Sequence, residues 1–196
     1  MSRKIKLFSL FSVGAIAFAM IGYGVNYFVV AEEEIEIGSP FELTRHTGET
    51  ISSEYFRGRY MFIYFGFTHC PATCPVTLND MTVVLRKLEK TNPDFAEKIT
   101  PIFISLDPQR DTPKIIGKYI SHFHERFEGM TGTYDNLIDI VNSYGSYFSY
   151  DPADADGNYN VNHSSYIYLM GPEGKYLTHF TPDESVDQIL ERLLKV

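Results

Sequence analysis

The chain has 196 residues, 15 Phe and 14 Tyr but no Trp, only two Cys, and a net charge of −8. All 25 Asp and Glu lie beyond Ala31, with only 14 of the 17 Lys and Arg, a balance of −11 there. Such a domain repels nucleic acid and anionic lipid surfaces and suits basic partners or cations, while the aromatic residues supply bulk for a core.

The first six residues, "MSRKIK", carry three positive charges, and residues 7–31 carry no charged side chain. A membrane-crossing helix needs about 20 apolar residues, and the apolar centre of a cleavable signal peptide usually has about 7–15. "AFA" at residues 17–19 resembles a cleavage site, but cutting there would leave a greasy new end. The reading is an uncleaved transmembrane anchor. Arg3, Lys4 and Lys6 precede it and "EEEIE" follows, so the positive end stays inside. The chain divides into a cytoplasmic tail (1–6), an anchor (7–31) and one exported domain (32–196), a single-pass protein of the inner or cell membrane.

In the exported domain, "FELTRHTGET" reads as a strand and turn. "YMFIYFGF" (60–67) is a continuous apolar run, a buried central strand that ends at the cysteines. After Pro75, Leu78, Met81, Val84, Leu85 and Leu88 fall at helical spacing, with Arg86, Lys87 and Glu89 outward. "ITPIFISLD" (99–107) is a second buried strand. A helix over 112–123 opens with Thr112 as N-cap and Pro113 at its first position. A third helix is expected over 134–148, despite Gly145, followed by a polar, turn-rich insertion at 151–160. "SSYIYLM" and "KYLTHF" form a hairpin around the Gly-Pro-Glu-Gly turn. A last helix starts at Ser185, with Gln188 placed for a capping box. The first two strands, joined through a helix, should be parallel, and the terminal hairpin adds antiparallel strands. That order predicts an α/β, thioredoxin-like fold: a central mixed sheet flanked by helices.

Cys70 and Cys74 stand at the carboxyl end of the first central strand, near a helix N-terminus that favours a thiolate. A structural disulfide across so tiny a loop removes little chain entropy. A redox dithiol normally has two intervening residues rather than three. The third reading is a metal site, since i and i+4 on a helix lie about 5–6 Å apart at Cβ and two thiolates there can pinch one ion. The peroxidatic Pro-x-x-x-Thr-x-x-Cys pattern fits neither cysteine. Among the six histidines, His122 and His124 read as solvated surface, and His46 and His179 as ordinary surface or strand residues. His69 reads as a packing or hydrogen-bonding residue beneath the loop. His163, at the start of a strand whose preceding loop faces the cysteines in this plan, is the expected third ligand. Two thiolates and an imidazole are a soft set that favours Cu(I), accepts Cu(II), and would take zinc with a fourth ligand or a water.

"YFGFTHCPATCP" (64–75), "SLDPQRDTP" (105–113) and "NHSSYIYLMGPEGKY" (162–176) together resemble the SCO/SenC family of membrane-anchored, thioredoxin-like proteins of copper delivery to cytochrome c oxidase. The resemblance covers roughly residues 38–195. It implies that Cys70, Cys74 and His163 bind one copper ion and that Asp107, Arg110 and Asp111 flank the metal. It implies the copper-bearing oxidase subunit as partner, and a chaperone rather than an enzyme, present as a monomer or weak dimer. A rival role is thiol–disulfide reductase, keeping the oxidase's copper-ligand cysteines reduced; only the dithiol form binds metal, and closing the disulfide bond would release it. The family's acidic residues between the cysteines and before the histidine are replaced by Ala72, with Thr73 beside it, and Asn162. Fewer carboxylates reduce the negative charge around an ion and leave all three ligands in place.

Overall fold

The computed structural model describes residues 36–196; the expected tail and anchor lie outside the described residues. Among the described residues no helix is long and apolar enough to cross a membrane. The strands are β1 (Glu42–Arg45), β2 (Thr50–Ser52), β3 (Tyr60–Gly66), β4 (Ile99–Ser105), β5 (Glu128–Thr131), β6 (Phe148–Tyr150), β7 (Val161–His163), β8 (Ile167–Met170) and β9 (Tyr176–Phe180). The helices are α1 (Thr73–Thr91), α2 (Pro93–Lys98), α3 (Pro113–Ile120), α4 (Tyr134–Ser143) and α5 (Val186–Leu193).

Seven strands form one mixed sheet in the order β2-β1-β5-β4-β3-β8-β9. The two continuous apolar runs, β3 and β4, lie side by side at its centre in parallel register, Tyr60 with Ile99 through Gly66 with Ser105. Parallel neighbours need a crossover, which α1 and α2 supply. The hairpin β8–β9 adds to β3 antiparallel, with Tyr64 opposite Ile167.

Alternation along β3 divides its side chains between two layers. Tyr64 and Gly66 face α1, where the Cys74 sulfur sits. Phe65 faces Tyr144, just past α4, at 5.3 Å between ring centroids. Phe103 on β4 meets Tyr119 of α3 at 5.5 Å, and Arg192 of α5 lies over Phe180, which packs against Phe62. Thus α1, α3 and α5 cover one face and α4 the other. The expected caps are present: the Thr112 side chain accepts from the Ile115 N–H, and Ser185 and Gln188 close the capping box.

The structure corrects three expectations. The helix from Tyr134 ends at Ser143, because Gly145 adopts a φ of +63° and Phe148–Tyr150 turn extended. Those residues pair with Val161–His163, so the polar insertion is the tip of a two-stranded ribbon. His124 is buried at 1 % exposure, its Nε2 3.1 Å from Glu89 and its Nδ1 accepting from the Arg126 N–H. Two short elements, β5 and α2, were not anticipated.

Candidate metal centre

Cys70 lies in the turn between β3 and α1, and Cys74 in the first turn of α1. Ala72 is the N-cap and offers no side-chain acceptor, so the first-turn N–H groups are left for another partner. The Cys70 sulfur takes that place, accepting from the Cys74 N–H at 3.3 Å. The Cys74 thiol, then the backbone N–H groups of Cys74, Ala72 and Thr73, hold the Cys70 thiol down to about 5, far below an ordinary cysteine. The proton stays on Cys74, which Cys70 and then burial push up. Both cysteines are free thiols here, one half-buried and one fully buried.

The pocket around Cys74 has been cut to fit sulfur. A Cβ on Gly66 would come within 2.9 Å of that sulfur and 3.0 Å of both Phe103 and Tyr64. An isolated glycine in a strand often marks such a close approach. The Tyr64 hydroxyl donates to the Cys74 sulfur at 3.7 Å. Burial, then the nearby Cys74 sulfur, push that phenol up, so it stays a donor.

His163 does not open the strand of "SSYIYLM" as expected, since β8 begins only at Ile167; it ends β7 in the ribbon, opposite Phe148, because that segment pairs with β6. Its Nε2 lies 3.8 Å from the Cys74 sulfur, and its Nδ1 lies 3.0 Å from the Ser164 carbonyl. A proton on Nδ1 donated to that carbonyl leaves the Nε2 lone pair facing the sulfur, the tautomer a metal ligand needs. Tyr64 and Phe67 meet the ring edge-on at 6.0 and 6.1 Å. Cys70, Phe67 and His163 line one cleft of about 270 Å³ with Pro71, Ala72 and Asn162. The three ligand atoms are not drawn as close as two other groups among the described residues, His69–Asp107–Asp111 and Glu89–His124–Glu125, whose ligand atoms lie within 4.8 Å of one another. In the first of those groups the carboxylates already hold protein donors.

Those carboxylates clasp the site. Asp111 is fully buried and accepts from the Thr68 N–H (2.8 Å), the Thr68 hydroxyl (2.5 Å) and the Ser105 hydroxyl (2.5 Å). It pins the loop that leads into Cys70. Asp107, also fully buried, accepts from the Arg110 guanidinium and from the Tyr159 hydroxyl at 2.7 Å. Arg110 also donates to the Tyr159 carbonyl at 3.0 Å and lies 3.6 Å over its ring. Tyr150 adds a hydrogen bond to the Leu106 carbonyl at 2.7 Å. The 107–111 loop therefore ties the cysteine loop on one side to the histidine ribbon on the other.

Of the sequence candidates, the structure brings Cys74 and His163 together, sets Cys70 at the helix terminus, and places Asp107, Arg110 and Asp111 as hydrogen-bonding supports. His69 is half-exposed, 3.3 Å from Asp111. Gly66, Tyr64, Thr68 and Tyr159 complete the site and were not singled out by sequence. Only Gly66, an isolated glycine in an apolar strand, carried a readable signal.

The profile described as SCO1/SenC matches residues 30–196. The chain is 39% identical over 165 residues to the SCO2-like protein of Rickettsia felis, covering 84% of this chain and 78% of that one. The crystal structure of Arabidopsis thaliana ScoI, which has copper bound, superposes with a TM-score of 0.76 at 32% identity, covering 81% of this chain and 96% of that one. BsSco, described as a member of the Sco family of cytochrome c oxidase assembly proteins and as having a disulfide switch, superposes with a TM-score of 0.63 at 25% identity, over 82% and 92% of the two chains.

Proposed function

Because the chain belongs to the SCO1/SenC family, we propose that it is a membrane-anchored copper metallochaperone, one that takes up a single copper ion on Cys70, Cys74 and His163 and passes it to the binuclear copper centre of cytochrome c oxidase. The observation that carries this reading is the donor set of the cleft. It offers one sulfur already favoured as thiolate, a second that shares its proton, and an imidazole whose Nε2 faces that second sulfur. Binding Cu(I) releases the Cys74 proton and leaves two thiolates, one imidazole and one monovalent ion, a site of net charge −1. A soft, low-coordinate set of this kind suits Cu(I). A relative of similar fold holds copper in its crystal structure. The anchor over residues 7–31 would keep donor and acceptor on one membrane surface and raise their effective concentration.

Copper titration of the reduced protein tests this directly. One equivalent should bind, and Cys70→Ala, Cys74→Ala and His163→Ala should each lower the affinity sharply. Failure of the reduced protein to take up copper, or a spectrum indifferent to His163→Ala, would contradict the reading.

A second reading is favoured by the inequality of the two sulfurs. A half-exposed thiolate at Cys70 backed by a protonated, buried Cys74 is the arrangement of an attacking and a resolving thiol. Attack of Cys70 on a partner disulfide would release one partner thiolate. Cys74, giving up its proton to that thiolate, would then displace the second, leaving the Cys70–Cys74 disulfide and a reduced partner. Oxidase assembly in a His163→Ala strain separates the roles: reduction survives that change and copper delivery does not.

A further inference from the structure

We propose that Tyr64 is a positioning residue for the metal-binding pair, its hydroxyl donating to the Cys74 sulfur and biasing the cleft toward cuprous over cupric ion. The proposal rests on Cys74 being a copper ligand. Tyr64 is on the central strand, its backbone fixed between Phe103 of β4 and Ile167 of β8. Its side chain is wholly buried, and the acceptor for its hydroxyl is the Cys74 sulfur at 3.7 Å. The neighbouring Thr77 hydroxyl is committed to the Thr73 carbonyl at 3.0 Å. The hydroxyl of Tyr119, also shut off from solvent, has no hydrogen-bond partner among the described residues. The Tyr64 ring also meets the His163 imidazole edge-on, so one residue touches two of the three ligands.

The two sulfurs are thus supported differently. Cys70 is held by backbone N–H groups at the helix start, whereas Cys74 alone also accepts a side-chain O–H, in a space where a Cβ on Gly66 would come within 2.9 Å of it. A donor aimed at a coordinating thiolate draws electron density off the sulfur. The sulfur then donates less to the metal, which costs Cu(II) more than Cu(I), and hydrogen bonding at a ligand sulfur is a recognised control on copper potentials.

The test uses the full chain in detergent, loaded with copper, and compares wild type with Tyr64→Phe, which deletes the hydroxyl and keeps the ring. Wild type and variant should both take up one equivalent. In the variant the ratio of Cu(I) to Cu(II) affinity should fall about tenfold, read as a drop of about 59 mV in the one-electron potential, with the sulfur-to-Cu(II) charge-transfer band moving to lower energy. A fluorinated tyrosine at position 64 alone is a stronger donor with the same ring and should move both readouts the other way. It also decides the matter should Tyr64→Phe fold poorly. An unchanged potential and band at full copper occupancy, or shifts of one sign in both variants, would overturn the role of the hydroxyl while leaving the copper reading intact. A wild-type protein that takes up no copper would overturn both.

Discussion

Replacing Gly66 by alanine is the sharpest test of how the cleft is built. The added Cβ would lie 2.9 Å from the Cys74 sulfur, 3.0 Å from Phe103 Cε2 and 3.0 Å from Tyr64 Cε1. Comfortable contacts between heavy atoms are about 3.5–4.0 Å, so relief requires movements of about 0.5–1 Å on three sides. The backbone has little freedom to supply them, since Gly66 pairs with Ser105 and its carbonyl accepts from the Leu106 N–H at 2.8 Å. Overpacking of this kind costs about 1–3 kcal/mol, offset by about 0.5–1 kcal/mol for removing a glycine from a strand. The expected net loss is about 1–2 kcal/mol in denaturant unfolding of the metal-free protein. Copper affinity should fall about 10-fold or more, because the closest of the displaced atoms is the proposed ligand sulfur of Cys74. Gly117→Ala is the control: on α3, with His46 Cδ2 at 3.4 Å as its nearest neighbour, it should gain about 0.5–1 kcal/mol and leave copper binding unaltered. A Gly66→Ala protein as stable as wild type, with the same copper affinity, would refute the claim that this glycine exists to seat the sulfur.

The pH dependence of Cys70 gives a second prediction. Its folded value of about 5 lies below the ordinary 9.0, so the folded state holds fewer protons between those pH values. The stability it contributes is complete above about 9 and is lost as pH falls through about 5, while Cys74, shifted the other way, subtracts above 9. Iodoacetamide labelling of the reduced protein should show Cys70 half-reactive near pH 5 and Cys74 protected; one shared inflection above pH 8 would contradict this. Tyr159→Phe deletes the bond to Asp107 at 2.7 Å and loosens the ribbon from the 107–111 loop; with a charged acceptor but partial exposure, the expected cost is about 1–2 kcal/mol, accompanied by weaker copper binding in a competition titration. Ala72→Asp places a carboxylate at the N-cap of α1, where Pro75 at the third helical position has no N–H and the Cys70 sulfur already accepts the Cys74 N–H, so stability in urea unfolding should stay within about 0.5 kcal/mol of wild type. The same carboxylate beside Cys70 should move the thiol's labelling midpoint upward.

The elements legible in the sequence were those whose pattern is long and continuous. β3 and β4 are mostly apolar because both faces of a central parallel strand are covered, and α1 repeats Leu78, Met81, Leu85 and Leu88 inward over about three turns. The caps at Thr112 and Ser185 declare themselves by residue type. β5 did not, since Glu128, Gly129, Met130 and Thr131 show no alternation and only one β-branched side chain, and become a strand because β4 and β1 flank them. The ribbon was misread for a similar reason: Tyr147 and Phe148 continue a helical apolar pattern, and only the pairing with β7 turns them extended. At the site, the three candidate ligands stand out by residue type. Their supports do not: Tyr64 looks like any aromatic in a buried strand, and Tyr159 like any residue in a polar turn. What makes each functional is the neighbour that folding delivers to its hydroxyl.

The unequal cover on the two sulfurs would also order the release of an ion held between them. Cys74 is fully buried beside Gly66 and Tyr64, whereas Cys70 lines the cleft. On the proposed ligand set, an acceptor's incoming thiolate would come from the open side and would meet the Cys70 sulfur before the Cys74 sulfur. Exchange from that side would keep the proposed cargo bound to at least one protein sulfur throughout the transfer.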